Sequence, residues 1–175
     1  MTPEDLRREF WTYLHSRGFP SHIDDEVICD AVLRVEAQAY RGKRLRLKGW
    51  SYASGGLHSE DVALIMLLAE ELGLKQGLDW DWGLEPDNYH FEVAYRNSDK
   101  VKKLLKLVDL YNEESLVFLN LEMRLSSKEG SIDPFEVQRL LAEEREKLRE
   151  WKRIQEEETV KALERFFDGL EGSQR

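Results

Sequence analysis

The sequence predicts an α+β protein with a ferredoxin-like βαββαβ core, an antiparallel four-stranded sheet with two helices on one face. Two observations predict this fold. Strand-like alternation of apolar and polar residues recurs in four blocks between residues 43 and 125. Two apolar blocks with helical spacing separate these strands in the order that the fold requires. A helical hairpin at 1–42 and a long helix at 133–170 flank the core.

The hairpin is predicted from the residues that start and stop its helices. Thr2 precedes the first apolar stripe as an N-cap, and Gly18 suits a left-handed stop, after which Phe19 folds back on the helix. Ser21 and Asp24 form a capping-box pair for the second helix. The short joint between the two helices predicts an antiparallel pair.

The core is predicted from alternation with a period of two, which also assigns each strand residue to one face of the sheet. The strands lie at 43–52, 78–82, 89–95 and 116–125. The helix that Ser59 caps is apolar almost all round at 62–68, so we expect it to be the most buried. The sheet face opposite the helices would carry four bases, Arg44, Arg46, Lys48 and Arg124, and four acids, Asp79, Asp81, Glu92 and Glu122.

The long C-terminal helix has the clearest start signal in the chain. Asp133 is the N-cap, Glu136 completes a capping box, and Ile132 can staple onto Val137. The run 156–158 has no apolar residue, so we expect a bend near 156–159. A small domain cannot cover so long a helix, and its apolar side chains predict either a protein interface or packing back on the N-terminal hairpin. The predicted interface residues are Trp151, Leu163, Phe166, Phe167 and Leu170.

Composition limits the class of protein. The 175 residues are 35% charged with a net charge of −9, which disfavours general binding of nucleic acid. Cys29 is the single cysteine, so no disulfide forms within one chain. The N-terminus lacks a signal-peptide pattern, and the longest apolar run, 62–69, is too short to span a membrane. We therefore expect a cytoplasmic protein without a membrane anchor.

Three functions compete at the sequence level. The first is a non-enzymatic interaction or regulatory protein that self-associates through the C-terminal helix as a homodimer, or binds another protein there. The second is a metal-dependent hydrolase or nuclease, since carboxylates and an imidazole suit a divalent ion. Its ligands would be Asp79, Asp81, Asp87 and His90.

The third is a nucleic-acid-binding module, in which basic residues track phosphates and aromatic rings stack on bases. Its residues would be Arg44, Arg46, Lys48, Trp50 and Tyr52. The nearly neutral sheet face weakens this reading. The interaction protein is the preferred prediction, with no cofactor and no catalytic residue assigned.

Overall fold

The computed structural model describes residues 1–41, 59–74, 99–127 and 132–173. Over these ranges the chain forms five α-helices and no strand, and 86% of the described residues are helical. The helices are α1 (Pro3–Ser16), α2 (Asp25–Tyr40), α3 (Ser59–Glu71), α4 (Asp99–Leu125) and α5 (Pro134–Ser173). The prediction of a ferredoxin-like α+β fold is therefore wrong.

The decisive difference is at 116–125, which the sequence predicts as the closing strand and which forms the last part of α4. Its buried residues are Val117, Phe118, Leu121 and Leu125. These positions follow a helical period, whereas Leu119 and Met123, which strand alternation would bury, are 53% and 66% exposed. No glycine or proline lies between 99 and 127 to end the helix. Asn120, Glu122 and Arg124, predicted on an outer sheet face, therefore lie on α4.

The other three predicted strands, at 43–52, 78–82 and 89–95, lie outside the described residues. Without the closing strand, the four-stranded antiparallel sheet has no support in the part of the chain that the structure describes.

Both ends of α1 match the sequence prediction. The Thr2 hydroxyl accepts a hydrogen bond from the Asp5 backbone N–H at 3.2 Å, and the Asp5 carboxylate accepts the Thr2 backbone N–H at 2.8 Å. These bonds satisfy N–H groups that a helix start leaves without partners. The hydrogen bonds that the Asp5 carboxylate accepts from the backbone N–H and the hydroxyl of Thr2 lower the pKa of Asp5. Gly18 has a φ of 97°, and the Phe19 N–H donates to the Leu14 carbonyl at 3.0 Å. This left-handed stop is confirmed.

The start of α2 differs from the prediction by three residues. Asp24 is the N-cap, and its carboxylate accepts the Val27 backbone N–H at 3.1 Å. Ser21 lies in the preceding turn. Asp is as good an N-cap as Ser, so the sequence offers two starts and packing decides between them.

The prediction that α3 is strongly buried is confirmed. Its buried residues are Val62, Ala63, Leu64, Ile65, Leu68 and Ala69. It packs against α2 and ends at Glu71, and Gly73 follows with a φ of 69°. The Leu74 N–H then donates to the Ala69 carbonyl at 2.8 Å, which closes the helix with a Schellman-type bond.

The chain divides into two compact units, and the boundary between them falls within α1 and within α4. The first unit comprises Met1–Phe10 and Glu113–Arg175. In its core the rings of Phe10 and Phe118 meet edge to face, with centroids 5.4 Å apart. The amino group of Met1 donates to the Ile132 carbonyl at 2.9 Å. These contacts hold the N-terminus of the chain in the first unit.

The second unit, Trp11–Asn112, contains α2, α3 and an aromatic cluster. The ring of Phe19 stacks on Tyr111 with centroids 5.9 Å apart, and Trp11 lies 6.0 Å from Phe19. The Trp11 indole N–H donates to Asp25 at 2.9 Å, and the Tyr111 hydroxyl donates to Glu60 at 3.1 Å. Each polar end of this cluster is thereby satisfied.

The helical assignment of 116–125 can be tested with two alanine variants. Phe118→Ala should lower the free energy of unfolding by about 3–5 kcal/mol, because it leaves a cavity in the first unit. Leu119→Ala should cost less than about 1 kcal/mol, because half of its side chain is already in water. Urea unfolding followed by circular dichroism measures both values. If Leu119→Ala destabilised the protein more than Phe118→Ala, the result would support a strand at 116–125 and contradict the helix.

Candidate interaction surface on the C-terminal helix

The start of α5 is the one that the sequence predicts. The Asp133 carboxylate accepts the Phe135 backbone N–H at 3.0 Å, and the Asp133 carbonyl accepts the Val137 N–H at 3.1 Å. The helix then continues for 40 residues, through the charged run 156–158. At a rise of about 1.5 Å per residue its length is about 60 Å.

The first part of α5 packs in the first unit, where Val137, Leu140 and Leu141 are buried. Two carboxylates are buried beside them, since Glu114 is 4% exposed and Glu144 is 6% exposed. A buried carboxylate destabilises a protein unless a cation and hydrogen bonds compensate it. Both glutamates therefore need basic partners.

Arginines supply these partners, each from the helix opposite the glutamate that it binds. Arg145 of α5 donates to both carboxylate oxygens of Glu114 at 3.2 Å. Arg124 of α4 donates to Glu144 at 2.8 Å and to Glu143 at 3.0 Å. The hydrogen bond from Arg124 holds the pKa of the Glu143 carboxyl below its usual value. The same contacts raise the pKa of Arg124.

The order of these contacts shows that α4 and α5 run antiparallel within the first unit. Glu113, early in this part of α4, pairs with Lys152, whereas Arg124, at its end, pairs with Glu143 and Glu144. Lys152 is also the last residue of α5 that is partly buried. The contacts thus mark where the packed part of the helix ends.

Every residue of α5 from 153 to 172 is exposed. The large apolar side chains with more than 40% exposure on this helix beyond residue 150 are Trp151, Ile154, Val160, Leu163, Phe166, Phe167 and Leu170. The five predicted interface residues are all in this set. Their exposure agrees with a role in binding, which stays a prediction.

Four of these residues form a single stripe. Val160, Leu163, Phe167 and Leu170 are separated by three, four and three residues, the spacing that keeps side chains on one face of a helix. We call these four residues the distal stripe. The first three are 53%, 52% and 59% exposed. Phe166 borders the stripe, and its ring meets that of Phe167 edge to face at 5.8 Å.

A row of glutamates runs along α5 on one edge of this face. Six glutamates recur at intervals of seven residues, and we call them the glutamate row. They are Glu136, Glu143, Glu150, Glu157, Glu164 and Glu171. Residues seven apart on a helix lie almost above one another, with a drift of about 20° around the axis per interval.

Arginines bind the first four members of the row and leave the last two. Arg139 lies 4.0 Å from Glu136 and 2.6 Å from Glu143, and Arg153 lies 2.5 Å from Glu150 and 2.6 Å from Glu157. These contacts lower the pKa of Glu150 and raise that of Arg153. The side-chain carboxylates of Glu164 and Glu171 form no hydrogen bond or ion pair with another described residue.

Charge is unevenly distributed along the helix. Residues 134–153 contain five acids and six bases, whereas 154–173 contain six acids and two bases, a net charge of −4. The last turn of α5 has no basic residue. The helix dipole places partial negative charge at this same end, so acidic side chains there are unfavourable. The distal half therefore keeps a negative charge that the described residues do not neutralise.

A groove of about 250 Å³ lies between α4 and α5 beside Trp151. Its lining residues are Leu116, Val117, Asn120, Glu144, Lys147, Leu148 and Trp151. The carboxylate of Glu144 already accepts hydrogen bonds from Arg124 and Lys147. Because these hydrogen bonds already occupy the Glu144 carboxylate, the groove is better suited to an apolar contact than to acid–base catalysis by Glu144.

The two other predicted sites cannot be placed. The proposed metal ligands (Asp79, Asp81, Asp87, His90) and nucleic-acid residues (Arg44, Arg46, Lys48, Trp50, Tyr52) lie outside the described ranges and stay predictions. Among the residues that are described, no group of three His, Cys, Asp or Glu side chains is placed to hold a metal ion. None of the described helices has the length and apolar character of a membrane span.

The chain matches no family model, and neither a curated protein nor a solved structure is significantly similar to it. The functional argument therefore rests on α5 itself.

Two features of this surface are absent from the predicted set of interface residues, although the sequence contains their signal. Val160 continues the stripe of Leu163 and Phe167 one turn toward the N-terminus, and its spacing is readable from the sequence. The interval of seven between the glutamates is equally visible. Which of these glutamates lack an arginine is visible only in the structure.

The ion pairs of the packed half predict a pH-dependent effect of Arg124→Met. The lowered pKa of Glu143 means that Arg124 contributes stability above the ordinary glutamate value of 4.5, and loses that contribution as the pH falls through the folded-state pKa. The variant should therefore be less stable than the wild type at pH 7, and the difference should shrink below pH 4.5.

Thermal unfolding between about pH 3 and pH 7 measures this difference. Arg149→Met is the matched control, because Arg149 pairs with Glu146 where both side chains are 69% exposed. Such a pair contributes little to stability at any pH. If the loss of stability in Arg124→Met relative to the wild type stayed constant from pH 7 down to pH 3, the result would contradict the assigned role of the ion pairs.

Proposed function

We propose that this chain is a non-enzymatic protein that acts by binding another protein, and that the distal half of α5 is its binding surface. One observation carries the proposal. From residue 153 to 172 the helix is exposed on all sides, yet it displays an ordered apolar stripe that includes Val160, Leu163 and Phe167.

Elementary energetics support a partner for this stripe. Removing apolar surface from water is favourable by about 25 cal/mol per Å², so three half-exposed side chains at helical spacing present usable binding energy. Most helical stability in proteins comes from tertiary packing of an apolar face, and the distal half of α5 has no buried residue between 153 and 172. Contact along the stripe would both bury the apolar side chains and stabilise the helix.

A separate protein fits this surface better than a second copy of the chain. Two copies paired through this stripe would bring together two segments that each have a net charge of −4. The homodimer expected from the sequence remains a prediction, and light scattering decides between the two partners.

We propose that the protein acts in the cytoplasm. The single cysteine, Cys29, is exposed and does not form a disulfide within the chain. A reducing compartment suits an exposed thiol that has no structural role.

The proposal predicts that charge in the stripe abolishes binding while the same charge on the far side of α5 does not. The stripe variant is L163E/F167E. The control variant is A162E/G169E, which adds the same two charges at two exposed positions outside the stripe. A side chain at Gly169 meets no atom within 4 Å, so the control should fold. Circular dichroism checks that both variants keep their helix content.

Partners that co-purify with the wild-type chain would be identified, purified and bound again in calorimetry. The control should bind such a partner like the wild type, and the stripe variant should bind at least about a hundredfold more weakly. Light scattering of the chain alone should give 20.6 kDa. Equal binding of the partner by the stripe variant contradicts the proposal, as does a wild-type dimer that L163E/F167E dissociates.

A further inference from the structure

We infer that the partner presents an amphipathic helix with lysine or arginine along one edge, which packs on the distal stripe beside the glutamate row. The inference rests on the proposed function and adds the chemistry of the partner. It follows from two observations. Only one edge of the stripe is charged, and on that edge the carboxylates of Glu164 and Glu171 have no counterion among the described residues.

The two edges of the stripe differ in charge. In heptad terms Val160 and Phe167 are a positions, and Leu163 and Leu170 are d positions. The e positions that border one edge are Glu157, Glu164 and Glu171. The g positions on the other edge, Thr159, Phe166 and Ser173, are uncharged. Cations on a partner would therefore be attracted to one edge, which sets how the partner is rotated about its own axis.

The spacing of the row also specifies the partner. Successive glutamates lie about 10.5 Å apart along the axis, the rise of seven residues. A helical partner meets them in register if its own cations recur every seven residues. Glu157 is already bound to Arg153, so Glu164 and Glu171 are the members whose charge a partner would neutralise. The dipole at the end of α5 favours a cation at the same place.

Pairing of the distal stripe with the same stripe of a second copy does not supply these cations. In an antiparallel pair across the stripe, e positions face e positions, so Glu164 would meet its own symmetry mate. In a parallel pair, e positions face g positions, so Glu164 would face Thr159 and Glu171 would face Phe166. Either arrangement buries negative charge without a counterion.

An anionic membrane surface does not fit this helix either. Helices that lie in such a surface have Lys and Arg on the polar face. The distal half of α5 has six acids and two bases, and anionic lipid would repel it. A basic helix of another protein is the occupant that both the stripe and the row accept.

Synthetic peptides test this inference with the full-length chain. The first probe is a three-heptad helix with Leu at a and d positions and Arg at e and g positions. The second has the same sequence with Glu in place of every Arg. Fluorescence anisotropy should show binding of the Arg peptide, at least about tenfold weaker binding of the Glu peptide, and weaker binding of the Arg peptide at high salt.

Two double variants locate the effect on the row. E164Q/E171Q should weaken binding of the Arg peptide about threefold to tenfold, the loss expected for two exposed ion pairs. E158Q/D168N changes the net charge by the same amount at acids outside the row, and it should leave the affinity within about twofold. L163E/F167E should abolish binding of the peptide.

The possible results separate this inference from the proposed function. Equal affinity for the Arg and Glu peptides, with loss in L163E/F167E, overturns the basic partner and keeps the stripe as a binding surface. Equal losses in E164Q/E171Q and E158Q/D168N overturn the role of the row. If neither peptide binds, the inference is overturned, and the co-purification experiment alone decides the proposed function.

Discussion

Two buried glutamates, Glu114 on α4 and Glu144 on α5, are each bound by an arginine from the opposite helix. Because an unpaired buried carboxylate destabilises a protein by several kcal/mol, both pairs must form together. Sliding α5 by one turn along α4, about 5.4 Å, would break both of them. These contacts therefore fix which residues of α5 lie in the packed half and which lie beyond it.

The fixed register separates two kinds of surface on one helix. Up to Lys152 the charged side chains pair with α4 or with neighbours on α5, and Val137, Leu140 and Leu141 enter the core of the first unit. Beyond it, the apolar side chains of the stripe are exposed, and the carboxylates of Glu164 and Glu171 form no ion pair with another described residue. The apolar stripe would provide most of the affinity for a partner, and the glutamates would select its charge.

Local signals in the sequence were sufficient where one residue determines the geometry. The side chains of Thr2 and Asp133 accept hydrogen bonds from backbone N–H groups at a helix start, and Gly18 adopts the left-handed conformation that ends a helix. These roles follow from residue type. The most buried helix, α3, was also predictable, because an apolar run at 62–68 leaves no polar face.

Tertiary contacts decided the parts that the sequence predicted wrongly. At 116–125, polar Asn120, Glu122 and Arg124 alternate with apolar neighbours, which matches a strand face. The same stretch also supports a helix that buries Phe118 and exposes Leu119, and packing in the first unit selects the helix. The strand wrongly predicted at 116–125 implied an outer sheet face. That face in turn implied a site formed by residues of neighbouring strands. The apolar residues exposed on α5 were predictable, because their helical spacing is visible in the local sequence and does not depend on long-range contacts.

Amide hydrogen exchange along α5 tests the central claim most directly, namely that the chain itself supports the first half of the helix and a partner supports the second. For the chain alone, amides at 137–150 should be strongly protected, and those at 155–171 should exchange orders of magnitude faster. Adding the Arg-flanked peptide should slow exchange at 155–171 and leave 137–150 unchanged. Equal protection of both halves without any partner would contradict the account, because it would mean that the chain already covers the distal stripe.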